Sequence, residues 1–97
     1  MTKAKKAVLD LGSHIVFEQV KAFKDRFDKL IRSKSTLQIG SSQITEIDLT
    51  GIQLIQYFLL QAKAMEKELI FQLNISEENK NLLIKNGYSG LLEKITS

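Results

Sequence analysis

The apolar residues of this chain keep changing period. A loose alternation from Ala7 to Leu11 stops at Gly12-Ser13 and reads as a strand and a turn. His14 to Phe17 is short and β-branched and predicts a second strand. From Glu18 the spacing becomes helical. Val20, Phe23, Phe27, Leu30 and Ile31 share one face, and Lys21, Lys24, Asp25, Asp28 and Lys29 share the other. This amphipathic helix ends near Ser33, where Arg32 and Lys34 suit its negative end. Thr36 to Ile39 alternates again, Gly40-Ser41-Ser42-Gln43 reads as a turn or irregular edge, and Ile44 to Ile47 is a short apolar lead-in.

A second helix is predicted over 50–67, apolar on a broad arc through Ile52, Leu54, Ile55, Phe58, Leu59, Ala62 and Met65. Leu69 to Leu73 is nearly all apolar, as a central strand covered on both faces would be. Ser76 opens a third helix, with Glu77 and Glu78 in its first turn and Gly87 past its end. Gly90 to Ile95 predicts a last short helix. Helices alternating with strands imply an α/β sheet of mostly parallel strands, with right-handed crossovers. At 97 residues the chain is one domain.

Composition narrows the function classes. There is no cysteine, so disulfides and thiolate metal sites are excluded, and a single histidine excludes a His-rich metal site. A reducing, cytoplasmic setting fits. No run of about 18 apolar residues occurs, so no membrane span is expected. The formal net charge is +3, and Lys3, Lys5 and Lys6 supply much of the excess. Met1 to Lys6 is therefore expected to be a frayed basic tail. Elsewhere the charges are interspersed, with no basic stripe interleaved with exposed aromatics, so nucleic acid is not an expected partner.

The stretch from Ile44 to Ile55 carries the functional signal. A strand-like lead-in meets Asp48, then a hydroxyl residue and a glycine, and then a helical run. Thr50 is placed at the mouth of a helix, where backbone N–H groups point outward unpaired. Thr50-Gly51-Ile52-Gln53 fits a capping box, so Thr50 reads as a helix cap, as an accessible modification site, or as both. Asp48 reads as a turn residue capping nearby N–H groups or as a partner contact. Gly51 reads as a small first-turn residue or as room for a close neighbour. His14 reads as a turn or edge histidine, because no Asp, Ser or Cys constellation is recognised around it. Tyr57 lies one position off the apolar arc and is expected to be exposed beside the motif, where an aromatic can anchor a partner.

Over nearly its whole length, about Ala7 to Leu92, the chain resembles the STAS domain family, which includes bacterial anti-sigma-factor antagonists. The carrier is Glu46-Ile47-Asp48-Leu49-Thr50-Gly51-Ile52, against a family pattern of Ile-Asp-Ser-Ser/Thr-Gly-Leu. Leu49 departs from that pattern, as does Ile39-Gly40-Ser41, where the family strand commonly ends with an aspartate. The Leu-Thr-Gly-Ile-Gln-Leu wording is also similar to STAS proteins encoded alongside chemotaxis machinery. The resemblance implies a STAS-like domain over 7–97, with about four strands, a mostly parallel mixed sheet and helices mainly on one face.

It further implies a non-enzymatic adaptor, with Thr50 as phospho-acceptor and a serine/threonine kinase or anti-sigma regulator as partner. The expected binding rim is Asp48, Leu49, Thr50, Gly51 and Ile52, extended by Tyr57. One alternative is a constitutive subunit, such as the cytoplasmic partner of a lipid-transport ATPase. Another is a module that binds a nucleotide or lipid, although no Gly-rich phosphate loop is present. No metal or cofactor is expected.

Overall fold

The structure, a computed structural model, describes residues 6–96. The expected basic tail falls outside these residues except for Lys6, which opens the first strand. In chain order the elements are β1 (Lys6–Asp10), β2 (His14–Ile15), α1 (Phe17–Ser33), β3 (Thr36–Ile44), β4 (Glu46–Ile47), α2 (Leu49–Ala64), β5 (Glu68–Ile75), α3 (Glu77–Lys85) and α4 (Ser89–Thr96).

All strand pairings are parallel. The main sheet has the order β1-β3-β5, and β2 pairs separately with β4. The expected sheet of about four strands is thus three strands plus a short two-stranded pair. Register places Ala7, Leu37 and Leu69 side by side, and likewise Leu9, Ile39 and Phe71. Because side chains alternate along a strand, these residues share one face. On that face Leu9, Leu37 and Ile39 are fully buried with Phe27 and Phe58 of the helices. The other face carries exposed Val8 and a Gln38–Gln72 side-chain hydrogen bond of 2.8 Å. The helices therefore cover one face, as the resemblance implies.

Three elements differ from expectation. The strand expected over His14 to Phe17 stops at Ile15, and Phe17 opens α1. Residues 40–43 are not a turn between strands. They continue β3 past an irregularity between Gly40 and Gln43, with Gln43 and Ile44 pairing again to Asn74 and Ile75. The strand β5 is an edge strand, not a central one. Its apolar run conceals an alternation: Leu69, Phe71 and Leu73 pack against the core while Glu68, Gln72 and Asn74 are exposed.

The helices follow their sequence patterns closely. In α1, Phe23, Phe27 and Ile31 are buried. Phe27 stacks on Phe58 of α2 with ring centroids 4.3 Å apart. Ser76 caps α3 by accepting the Asn79 N–H at 3.2 Å, and Gly87 takes a left-handed turn (φ 88°) just past its end.

Candidate functional site

The β2–β4 pair sets the geometry of the motif. Each of these two-residue strands leads almost at once into a helix. Register places His14 opposite Glu46 and Ile15 opposite Ile47, which brings the starts of α1 and α2 side by side. The N-cap of α1 is Val16, which has no side chain able to cap. The N-cap of α2 is Asp48, one position beyond the Ile15–Ile47 pair.

Asp48 serves both helices. Its Oδ1 accepts the Gly51 N–H at 2.9 Å and the Thr50 hydroxyl at 2.6 Å. Its Oδ2 accepts the N–H of Phe17, the first residue of α1, at 3.0 Å. The Thr50 hydroxyl is the main cause that holds this carboxyl below the usual carboxylate range. Partial burial works against that effect without reversing it, and the Gly51, Phe17 and Thr50 N–H groups reinforce it. Asp48, rather than Thr50, is thus the cap of α2. Thr50 lies inside the first turn and uses its hydroxyl to orient the cap. The reading of Thr50 as the helix cap is thereby corrected: its spacing to Gln53 fits a capping box, but Asp48, a favoured cap type two positions earlier, takes the role.

Gly51 is buried against β2. A Cβ built on it would stand 2.1 Å from the Ile15 carbonyl oxygen and 2.9 Å from Ile15 Cγ2. Glycine lets the α2 start approach β2 this closely, and the Asp48 N–H donates to the same Ile15 carbonyl at 3.3 Å. Ile52 is also buried. Within the expected binding rim, Gly51 and Ile52 therefore hold the site in place, while Asp48, Leu49 and Thr50 keep access to solvent. Leu49 is 55% exposed.

Tyr57 does not join this group. It is half-buried, about 12 Å along the helix axis from Leu49 at 1.5 Å per residue. Its hydroxyl donates to Asp28 Oδ1 at 2.6 Å, its ring meets Phe27 edge-on, and Lys24 Nζ lies 4.9 Å from the ring centroid. The expectation of an exposed aromatic beside the motif is corrected: Tyr57 faces α1. Burial pushes Asp28 up, but the bonds from Tyr57 and Lys24 prevail and leave it below its ordinary value.

Other residues at the site carried no signal in the sequence. Phe17 is 69% exposed at the start of α1. A cleft of about 390 Å³ opens between the α2 start and α3, lined by Ile47, Leu49, Ile52, Leu82, Leu83 and Tyr88 among others. Leu82 on its α3 rim is 51% exposed. Buried Asn79 also faces this cleft, with its amide nitrogen donating to Ser76 Oγ at 2.9 Å. His14 is exposed in the short strand β2, in line with its reading as a turn or edge histidine, and it has polar neighbours. Ser13 Oγ lies 2.8 Å from His14 Nδ1, and Glu46 Oε1 lies 3.7 Å from Nε2. This exposed chain ties the β2 edge to β4 across 32 residues of sequence and was invisible before the register was known. Among the described residues no group of three or more metal-ligating side chains occurs, and no helix is long and apolar enough to cross a membrane.

Two solved structures share this architecture. One is that of the Bacillus cell fate determinant SpoIIAA in the phosphorylated form. It matches with a TM-score of 0.65 and 15% sequence identity, covering 93% of this chain and 82% of that one. The other is that of the anti-sigma factor antagonist SpoIIAA in its unphosphorylated form, with a TM-score of 0.69, 15% identity, and 93% and 79% coverage. The chain has the STAS fold. At this identity the likeness concerns the fold. No family model and no curated protein matches the sequence. Within this fold Asp48 is the one residue between β4 and α2, and Leu49, Thr50 and Gly51 open the first turn of α2.

Proposed function

We propose that this STAS domain is a non-enzymatic signalling adaptor. It docks a serine/threonine kinase or anti-sigma-type regulator at the cleft between α2 and α3, and phosphorylation of Thr50 controls the docking. One observation carries the reading. The Thr50 hydroxyl is held on Asp48 Oδ1 beside a cleft whose rims are the exposed side chains of Leu49 and Leu82. A structural neighbour described as an anti-sigma factor antagonist, solved in phosphorylated and unphosphorylated forms, supports it.

The physics of the switch is local. A phosphate adds about −1.5 to −2 charges near neutral pH. At Thr50 it faces the positive ends of two helices, which favour it, and the Asp48 carboxylate, which repels it. The ester also replaces the hydroxyl hydrogen that donates to Asp48, so that bond is lost, while the Gly51 and Phe17 bonds to the same carboxylate keep both helix starts capped. A partner whose apolar side chain fills the cleft does not tolerate the added charge, because the phosphate stays solvated at the rim and keeps water there.

The test is a pull-down from the native lysate with wild type, Thr50→Ala and Thr50→Glu as baits, read by mass spectrometry. The reading expects a partner held by wild type and Thr50→Ala and released by Thr50→Glu. A partner held equally by all three overturns the switch and favours a constitutive subunit. The structural observation on the side of that second reading is that the Thr50 hydroxyl is already engaged in orienting a helix cap.

A further inference from the structure

We infer that the groove between α2 and α4 is a second docking site, separate from the Thr50 cleft, and that its occupant is a partner's amphipathic helix with an acidic flank. The groove holds about 580 Å³ and is lined by Gln56, Leu59, Leu60, Gly90, Leu91 and Lys94. Gln56, Leu59, Leu60 and Lys63 stand at i, i+3, i+4 and i+7, so they form one stripe along α2. The opposite flank of α2 is already used: Tyr57 bonds to α1, and Gln61 lines a cleft with Asp28 and Arg32. The α2 helix thus meets α1 on one side and leaves the leucine stripe open on the other. Leu60 is 67% exposed, and a methyl group added at Gly90 would meet no atom within 4 Å.

The chemistry of the walls selects the occupant. The apolar floor is leucine. The polar lining residues are Gln56 and Lys94, and Lys63 stands one turn beyond Leu59 and Leu60 on the same α2 stripe; none of the three is a carboxylate. Glu93 lies on α4 one position before Lys94 and so projects from a different side of that helix. An amphipathic helix read through anchors at i, i+3, i+4 and i+7 fits a concave groove between two helices. Glutamates flanking those anchors would meet Lys63 and Lys94 at its rim. A lipid surface calls instead for apolar side chains that protrude from a convex face. The Thr50 cleft takes Leu49 and Ile52 from the first turn of α2, whereas the groove takes Gln56, Leu59 and Leu60 from its middle.

The test uses the full chain, isotope-labelled, and two synthetic helical peptides with leucines at the same spacing. One is flanked by glutamates and the other by lysines. Amide shifts are followed by NMR. The inference expects the glutamate peptide to move Leu59, Leu60, Leu91 and Lys94, to leave Leu49 and Leu82 in place, and to bind roughly tenfold tighter than the lysine peptide. Lys63→Glu with Lys94→Glu should reverse that preference, and Leu60→Asp should remove binding of both peptides. Thr50→Glu should leave the affinity unchanged, which separates this site from the proposed switch. Four results overturn the inference: equal affinity for the two peptides; no shift at the groove up to millimolar peptide; groove shifts that track protein concentration alone, which would mark a self-interface; or groove shifts produced only by phosphatidylglycerol vesicles.

Discussion

The Thr50 hydroxyl donates to Asp48 over 2.6 Å, and that same carboxylate also accepts the first N–H of a helix that begins 31 residues earlier in the chain. A side chain in the first turn of α2 is therefore coupled through one carboxylate to the start of α1. Any change at Thr50 reaches both helix ends and the exposed Phe17 and Leu49 that flank them.

Asp48 should matter more to stability than an ordinary cap. One cap is worth about 0.5–2 kcal/mol, and Asp48 caps two helices. Asp48→Ala is expected to cost about 1–4 kcal/mol in chemical denaturation, and Thr50→Ala about 1 kcal/mol. Equal losses for the two variants would show that the Gly51 and Phe17 bonds to Asp48 contribute nothing beyond the Thr50 bond.

The same carboxyl gives a pH dependence of definite sign. Its pKa is lowered on folding, first by the Thr50 hydroxyl. A lowered folded pKa adds stability that is fully present above the unfolded value and is lost as pH falls through the folded one. With an unfolded value near ~3.9, the loss is expected below about pH 4. Asp48→Asn should flatten the stability curve there, leaving the share that comes from Asp28, whose pKa is also lowered. Denaturation midpoints measured from pH 2 to pH 6, in the range where these carboxylates titrate, check it.

Gly51→Ala should destabilise although alanine is the better helix former by about 1 kcal/mol. The added methyl would meet the Ile15 carbonyl, a backbone atom that cannot move without shifting β2. A loss of about 1–3 kcal/mol is expected. A variant as stable as wild type would contradict the close approach of α2 to β2.

Tyr57→Phe separates packing from partner recognition. It removes the bond to Asp28 and should cost about 1 kcal/mol without altering partner capture. Leu49→Asp and Leu82→Asp should do the reverse. Both positions are exposed, so stability should stay within about 0.5 kcal/mol while capture is lost.

What the sequence made legible, and what it did not, divides by the range of the interaction. The α1 stripe of Phe23, Phe27 and Ile31 and the Ser76 cap of α3 are local patterns, and both stand as read. The Gly40–Gln43 stretch looked like a turn because its residues are polar and small, yet pairing with β5 carries it through as strand. The apolar run in β5 looked central because Ile70 interrupts the alternation that Leu69, Phe71 and Leu73 follow. The choice between Asp48 and Thr50 as cap depended on a shift of two residues that composition does not encode. The Asp48–Phe17, His14–Glu46 and Gly51–Ile15 relationships all depend on β2 lying parallel to β4, and two-residue strands leave almost no periodic trace.

The central claim is that phosphate on Thr50 controls docking. The most direct measurement is site-resolved phosphopeptide mapping of the protein recovered from its own cells, with the free pool and the partner-bound pool quantified separately. The account predicts phosphate on Thr50 in the free pool and unmodified Thr50 in the bound pool. Unmodified Thr50 in both pools, or equal modification in both, would contradict it and leave Thr50 as the residue that orients the Asp48 cap.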